Sequence, residues 1–307
     1  MMNSTISNTR SNKQGVLLIV LSTLAFGSYG VWARLIGNSL GIFYQSWARS
    51  LLIALILLPM LLYKKEFVFI KIKYWRWLFV FLIFTSLTQA PIFYAYNHMD
   101  IATASLIYFV STLLTMYAVG FAFLEEKVNT VKSISFLVAC VGLFFIFSVS
   151  IKEFSLLAAS MALLNGIASG GELAFSKKLT NVYSPLFIVW LSWIIIALTN
   201  GPVSLFMGEH QVLPELSLPW LYLGGYAVAS IFGFWLVIAG MKYVEASISG
   251  LLGLLEIVFS VAFGIFLFGE ALTLKVVLGM GLILIAAALP HLFNYFDSSY
   301  KNSTVVL

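Results

Sequence analysis

Charge is scarce in this 307-residue chain: Asp, Glu, Lys and Arg make up only 9% of it, against 61% hydrophobic residues. A soluble domain of that size could not keep such a surface in water, so the chain reads as an integral membrane protein. Cysteine is nearly absent. Cys140, inside an apolar run, is the only one, which rules out an intrachain disulfide, a CxxC centre and a cysteine-based zinc site. The three histidines, His98, His210 and His291, fall at or beyond the ends of apolar runs. No intramembrane imidazole pair is therefore available for haem or metal, and neither an HExxH motif nor a Walker-type loop is found. Of the acids only Glu172 and Glu256 lie within apolar runs, with no aspartate there, which excludes a paired-aspartate intramembrane protease. The expectation is a non-enzyme with no catalytic, cofactor-binding or metal residues and no cofactor. The formal charge of +5 is scattered over short loops rather than gathered on one face, so nucleic acid is not an expected partner.

What is present is a series of apolar windows. They run approximately over 15–34, 42–63, 77–97, 102–123, 130–149, 154–175, 184–206, 219–240, 246–268 and 275–296, each about the 20 residues that a helix needs to cross the hydrocarbon core. Runs such as Leu51 to Leu62 are apolar on every face, unlike the alternation of a barrel strand, so the fold class expected is an all-α polytopic bundle of ten helices. Arg10 and Lys13 before the first run give it the look of a signal sequence, but its length and the nine runs that follow make it a retained span. With the amino terminus inside, Arg10, Lys13, Lys64, Lys65, Lys71, Lys73, Arg76, Lys127, Lys132, Lys177, Lys178, Lys242 and Lys301 fall on internal segments. Only Arg34, Lys152 and Lys275 are outside. That excess predicts that both termini are cytoplasmic.

The chain is also internally repeated. A shift of 144 residues lays Ala90–Glu126 over Phe234–Glu270 without a gap, pairing Ala102 with Ala246, Thr103 with Ser247, Ser105 with Ser249, Gly120 with Gly264 and Glu126 with Glu270. A shift of 143 brings Ala25, Gly27 and Arg34 onto Ala168, Gly170 and Lys177. Five helices are thus repeated by five, and an odd number inverts the second copy, a recurrent transporter architecture built around a midplane site. The expected organisation is an N-terminal tail over 1–14, a first repeat over 15–149, a second over 150–296 and a C-terminal tail over 297–307.

These residues carry a resemblance. Ala102-Thr-Ala-Ser through Glu126, and Ala246-Ser-Ile-Ser through Gly269-Glu270, are similar to the repeated signature of the drug/metabolite transporter superfamily, specifically the ten-helix EamA-type permeases. Leu255-Glu256-Ile257-Val258 is similar to the Leu-Glu-Pro-Val element of that family's ninth helix, and Arg49 to its second-helix arginine. The prolines usual in the fourth and ninth helices are replaced by Leu113 and Ile257, which predicts the loss of a kink and a changed pocket. The resemblance implies a membrane transporter and leaves its substrate open.

Ionisable groups inside spans are functional candidates because the bilayer penalises them. Glu256 lies roughly ten residues, or about 15 Å of helix, from either end of its span, on a face with Ser249, Gly253 and Ser260. Arg49 is its expected counter-charge, or else reaches the outer surface. Glu172 shares a face with Asn165 and Ser169, and Lys177 or Lys178 is placed to reach back to it. In the fourth span Ser105, Tyr108, Thr112 and Thr115 form a polar stripe that reads either as cavity lining or as helix packing. Tyr29, Gln89, Tyr94 and Trp235 complete the substrate-binding or coupling candidates, as rings and an amide suited to an amphipathic or aromatic solute.

The function expected is a secondary transporter of a small organic metabolite, such as an amino acid or amphipathic solute, working by alternating access in the plasma (inner) membrane. Linkage of transport to protonation of Glu256 is a corollary to be tested. A channel or an interaction scaffold is the alternative. The partners expected are a small-molecule solute and the lipid bilayer; oligomeric state is open, a monomer being plausible.

Overall fold

Within a bilayer the backbone has no water to bond to, so apolar runs of this length must satisfy their amides and carbonyls internally. The computed structural model of the chain describes residues 2–68, 71–147 and 155–303, with side chains between 12 and 293, and its regular elements are all helices. The first span is α1 (Met2–Gly27) followed by α2 (Tyr29–Ile36), the second α3 (Ile42–Tyr63), and the third α4 (Trp75–Ser86) followed by α5 (Ala90–His98). The fourth to eighth are α6 (Ile101–Phe123), α7 (Thr130–Ile146), α8 (Leu156–Leu179), α9 (Pro185–Phe206) and α10 (Leu218–Met241). The ninth is α11 (Ala246–Gly253) followed by α12 (Leu255–Phe268), and the tenth is α13 (Leu274–Ser303). Among the described residues nine spans are long and apolar enough to cross a membrane, and α7 is a shorter apolar helix. The ten-helix bundle expected from the windows is the fold found. The helices α1 and α13 run past the expected ends of their spans, back to Met2 and on to Ser303. The expected repeat boundary at 149/150 and Lys152 lie outside the described residues.

Short polar side chains start the helices, each accepting from an amide that the first turn leaves unbonded. Asp100 accepts from Thr103 N, Asn129 from Lys132 N, Ser155 from Ala158 N and Ser184 from Phe187 N.

Three spans are broken near mid-depth. In the third, Pro91 at the start of α5 lacks an amide, and its ring crowds out the carbonyl four residues back, that of Leu87; Asn165 Nδ2 donates to that freed oxygen at 3.0 Å. In the first, Ser28 interrupts the helix and its hydroxyl turns back to Ala25 O at 2.6 Å. The ninth corrects the sequence reading. With Ile257 in place of proline no kink was expected, yet the span is interrupted at Leu254, beside Gly253. The fourth, α6, is continuous through Leu113.

Packing obeys the inverted repeat. The first span lies against the eighth and ninth, and its counterpart, the sixth, lies against the third and fourth; the second pairs with the seventh, and the fifth with the tenth. The equivalence reaches single atoms. A Cβ placed on Gly170 would stand 2.5 Å from Thr112 O and 2.8 Å from Thr115 Cβ. One on Gly27 would stand 2.9 Å from Glu256 O and 2.7 Å from Phe259 Cβ. Both contacts follow from the sequence shifts that relate the halves.

The core is unevenly distributed. Its largest cluster, including Leu57, Leu61, Phe81, Phe175, Leu179, Phe187, Val237, Met241 and Ile248, fills the half of the bundle next to the basic loops. Among the described residues the opposite half holds smaller clusters: one around Ile92 and Ala162, one around Ile36, Tyr44 and Leu223, and one that reaches it from the middle through Leu143 and Ile257.

Candidate functional site

Each break delivers one polar side chain to the middle of the bundle. Tyr29 is the first residue of α2, Gln89 precedes α5, and Glu256 stands in the first turn of α12; interrupted helices at mid-depth are where transporters build sites, because the unwound turns carry both side chains and spare backbone groups. Arg49 of α3 meets them. It is 2% exposed, so the snorkelling alternative is not taken, and its Nη2 donates to Gln89 Oε1 at 3.2 Å. Its Cζ lies 3.8 Å from the ring centroid of Tyr226, 5.3 Å from Trp193 and 5.5 Å from Tyr29. Tyr29 and Tyr226 meet edge to face, with centroids 4.7 Å apart. A planar guanidinium held among three rings gains cation–π attraction that is largest where water is excluded.

Glu256 lies across from this cage. No ion pair joins it to Arg49, and its carboxylate makes no hydrogen bond among the described residues, although the side chain is half-buried. Tyr29, Tyr96 and Tyr108 all lie within its electrostatic reach, and Tyr29 within that of Arg49 as well. The Tyr96 hydroxyl and Ser105 Oγ are 3.3 Å apart. A guanidinium and a free carboxylate thus face a shared aromatic lining at mid-depth, where neither is neutralised by the other.

The remaining candidates separate into those near this lining and those that hold helices together. Ser169 stands beside the Tyr108 hydroxyl. Asn165 seals the broken third span, as above. Glu172 is buried, and its Oε1 accepts from Thr85 Oγ1 at 2.9 Å and from Ser192 Oγ at 2.8 Å, tying α8 to α4 and α9. The expected lysine partners are elsewhere: Lys177 pairs with Glu126 at 3.1 Å, and Lys178 lies over the Trp77 ring at 4.7 Å. Thr112 and Thr115 donate to their own helix at Tyr108 O and Ser111 O, both at 2.8 Å, and back onto Gly170, so this part of the stripe is packing. Ser249 is buried with an unpartnered hydroxyl. Tyr94 stacks on His98 with centroids 4.0 Å apart, away from the cage. Trp235 is not brought there either; it lines a groove of about 490 Å³ with Gln14, Asn181 and Lys242 near the basic loops.

Sequence reasoning missed Trp193 and Tyr226, the rings closest to Arg49. Among 27 Phe, 14 Tyr and 8 Trp nothing in composition or spacing marks them, although both lie on spans facing the second helix.

The fourth and ninth spans do not pack evenly along their length. At the basic-loop end α11 packs on α6, whereas α12 turns to α1, α2 and α13. The fourth and ninth spans thus converge at one face of the bundle and diverge at the other.

A family model described as "EamA-like transporter family" matches residues 13–148 and again 156–290, one copy on each half. The chain belongs to the EamA-like transporter family. It is an integral multi-pass membrane protein, consistent with the drug/metabolite transporter superfamily that its motifs resemble. No curated protein is matched. A solved structure described only as "Crystal structure of protein" superposes with a TM-score of 0.76 over 91% of this chain and 98% of its own, at 15% identity. At that identity the likeness speaks for the EamA fold alone.

Proposed function

We propose that this EamA-family chain is a secondary transporter of the plasma (inner) membrane that moves a small zwitterionic or amphipathic organic metabolite, such as an amino acid, by alternating access. The observation that carries the reading is the unpaired mid-depth couple: Arg49, caged by rings and Gln89, and Glu256, half-buried without an ionic or hydrogen-bonding partner among the described residues. A carboxylate left alone at mid-depth in a membrane span is costly unless a bound group or water completes it. A solute carrying an anionic and a cationic group spans such a pair, and Tyr29, Tyr96, Tyr108 and Tyr226 offer faces to its apolar part. The inverted halves supply the means of exposing one site to either side in turn. A channel fits less well, since a selective cation pore draws on rings of carboxylates or carbonyl filters.

The test is counterflow in liposomes holding the purified protein, with a panel of amino acids, nucleosides and amphipathic cations, with and without a proton gradient, beside Glu256→Gln. Saturable exchange with the native protein that is lost in the variant is the expected result. Exchange that survives the substitution returns Glu256 to a structural role, and absence of exchange with every member of the panel refutes the solute class.

A further inference from the structure

We infer that Glu126 and Glu270 are a pair of alternating gate residues, and that this structure is the state in which the Glu126 gate is shut and the Glu270 gate is released. The inference rests on the transporter reading above for its purpose, but on separate residues for its geometry.

The two glutamates are built identically by their own helices. Glu125, just before the first, has φ 60°, and Gly269, just before the second, has φ 67°. These left-handed residues turn the chain so that Glu126 N donates to Gly120 O at 3.0 Å and Glu270 N to Gly264 O at 3.2 Å. Each carboxylate is folded back over the glycine of its own span, in the space a Cβ there would occupy. Each also has one basic partner from the corresponding place in the opposite repeat: Lys177 at 3.1 Å for Glu126, Arg34 at 2.6 Å for Glu270. Lys177 and Arg34 are themselves equivalent under the shift of 143. Local sequence therefore places both carboxylates alike.

Their remaining partners differ completely. Glu126 is 7% exposed and caps the ninth span: its Oε1 accepts from Ala246 N at 2.5 Å, and its Oε2 accepts from Ser247 N at 3.1 Å and Ser247 Oγ at 3.0 Å. This is a carboxylate seated on a helix N-terminus of the other repeat, where unbonded amides and the helix dipole both favour negative charge. It pins the fourth span to the ninth at the basic-loop face. Among the described residues the Glu270 carboxylate has only Arg34, and that pair is 53% and 54% exposed. The positions that Glu270 would cap by symmetry are Ala102 and Thr103 at the start of α6, and there Asp100 accepts from Thr103 N at 2.9 Å and Thr103 Oγ1 at 2.8 Å. Asp100 thus keeps that helix start satisfied while the gate is open. Its equivalent in the second repeat is Val244, which has no such group, so α11 depends on Glu126.

The opposite state follows from exchanging the two halves. Glu270 closes on the start of α6, displacing Asp100 from the amides, while Glu126 leaves α11 and keeps Lys177. The fourth and ninth spans then converge at the outer face instead of the inner one. Because the start of α6 has its own cap and that of α11 does not, the state recorded here is the favoured one at rest.

Distances between spin labels test this without a solute. In a Cys140→Ala background, one pair of cysteines replaces Ile101 and Leu272 at the outer ends of the two spans, and another replaces Val128 and Lys242 at the inner ends; all four positions are exposed. The native chain should show a long outer and a short inner distance. Glu126→Gln should move the populations about tenfold or more toward a short outer and long inner distance, since a neutral amide weakens all the charge-assisted bonds. Glu270→Gln should leave the outer distance long and remove any minor closed population. Ser247→Ala, which deletes one hydrogen bond and keeps the carboxylate, should move the populations in the same direction as Glu126→Gln by a smaller factor, and serves if the glutamate variant does not fold. Unchanged distances in folded Glu126→Gln, or in Ser247→Ala where the former fails to fold, overturn the gate assignment. Distances that move in a protein that exchanges no solute leave the gates standing and refute the transporter reading instead.

Discussion

Gly170→Ala and Gly27→Ala are a matched pair, because they place one methyl group at equivalent crossings of the two repeats. At Gly170 the new carbon would stand 2.5 Å from Thr112 O and 2.8 Å from Thr115 Cβ, and at Gly27 it would stand 2.7 Å from Phe259 Cβ and 2.9 Å from Glu256 O. These neighbours are backbone or first side-chain atoms, which no rotamer change removes. Ordinary contact begins near 3.5 Å, so the helices must separate by roughly 0.6–1 Å, and overpacking of this kind costs about 1–3 kcal/mol. The folded-to-unfolded ratio should then fall about 5- to 150-fold in either variant. Gly281→Ala in α13 is the control: nothing lies within 4 Å of its Cβ position, and alanine should gain roughly 0.5–1 kcal/mol through its higher helix propensity. Denaturant titration of the purified proteins in detergent reads all three. Gly170→Ala as stable as Gly281→Ala would refute the close crossing of α6 and α8. If Gly27→Ala alone were tolerated, the atom-level equivalence of the two repeats would be wrong.

Substitutions at two further positions separate a structural polar group from one proposed to face the solute. Glu172→Leu strands the buried Thr85 and Ser192 hydroxyls without their acceptor and should destabilise by about 1–3 kcal/mol, whereas Glu172→Gln keeps a carbonyl oxygen there and should melt close to the native protein; thermal unfolding in detergent distinguishes them, and equal loss in both would contradict the role of Glu172 as an acceptor. Arg49→Lys keeps the charge but loses the planar group that faces Tyr226, Trp193 and Tyr29 together, and should weaken apparent solute affinity about tenfold or more; counterflow kinetics with the identified solute would show no change if the cage is not part of the site.

Much of the architecture was fixed by composition and repetition. A chain this apolar, cut by short polar loops at regular intervals, can only bury its backbone polarity in helices, and the shifts of 144 and 143 residues already imply two inverted halves. Glu256 and Arg49 stand out as candidates in the sequence because a charged group at mid-span is costly in a bilayer. What the sequence could not carry was distance between helices. Only tertiary packing put Arg49 among Tyr226 and Trp193 rather than against Glu256, gave Lys177 to Glu126 rather than Glu172, and moved Trp235 out of the centre. The break in the ninth span at Leu254 likewise appears where proline counting predicted none, because an unfilled neighbour such as Gly253 is enough to let a helix turn. The difference between Glu126 and Glu270 is the clearest case: identical local geometry, dictated by sequence, leads to different partners because only one end of the bundle is closed.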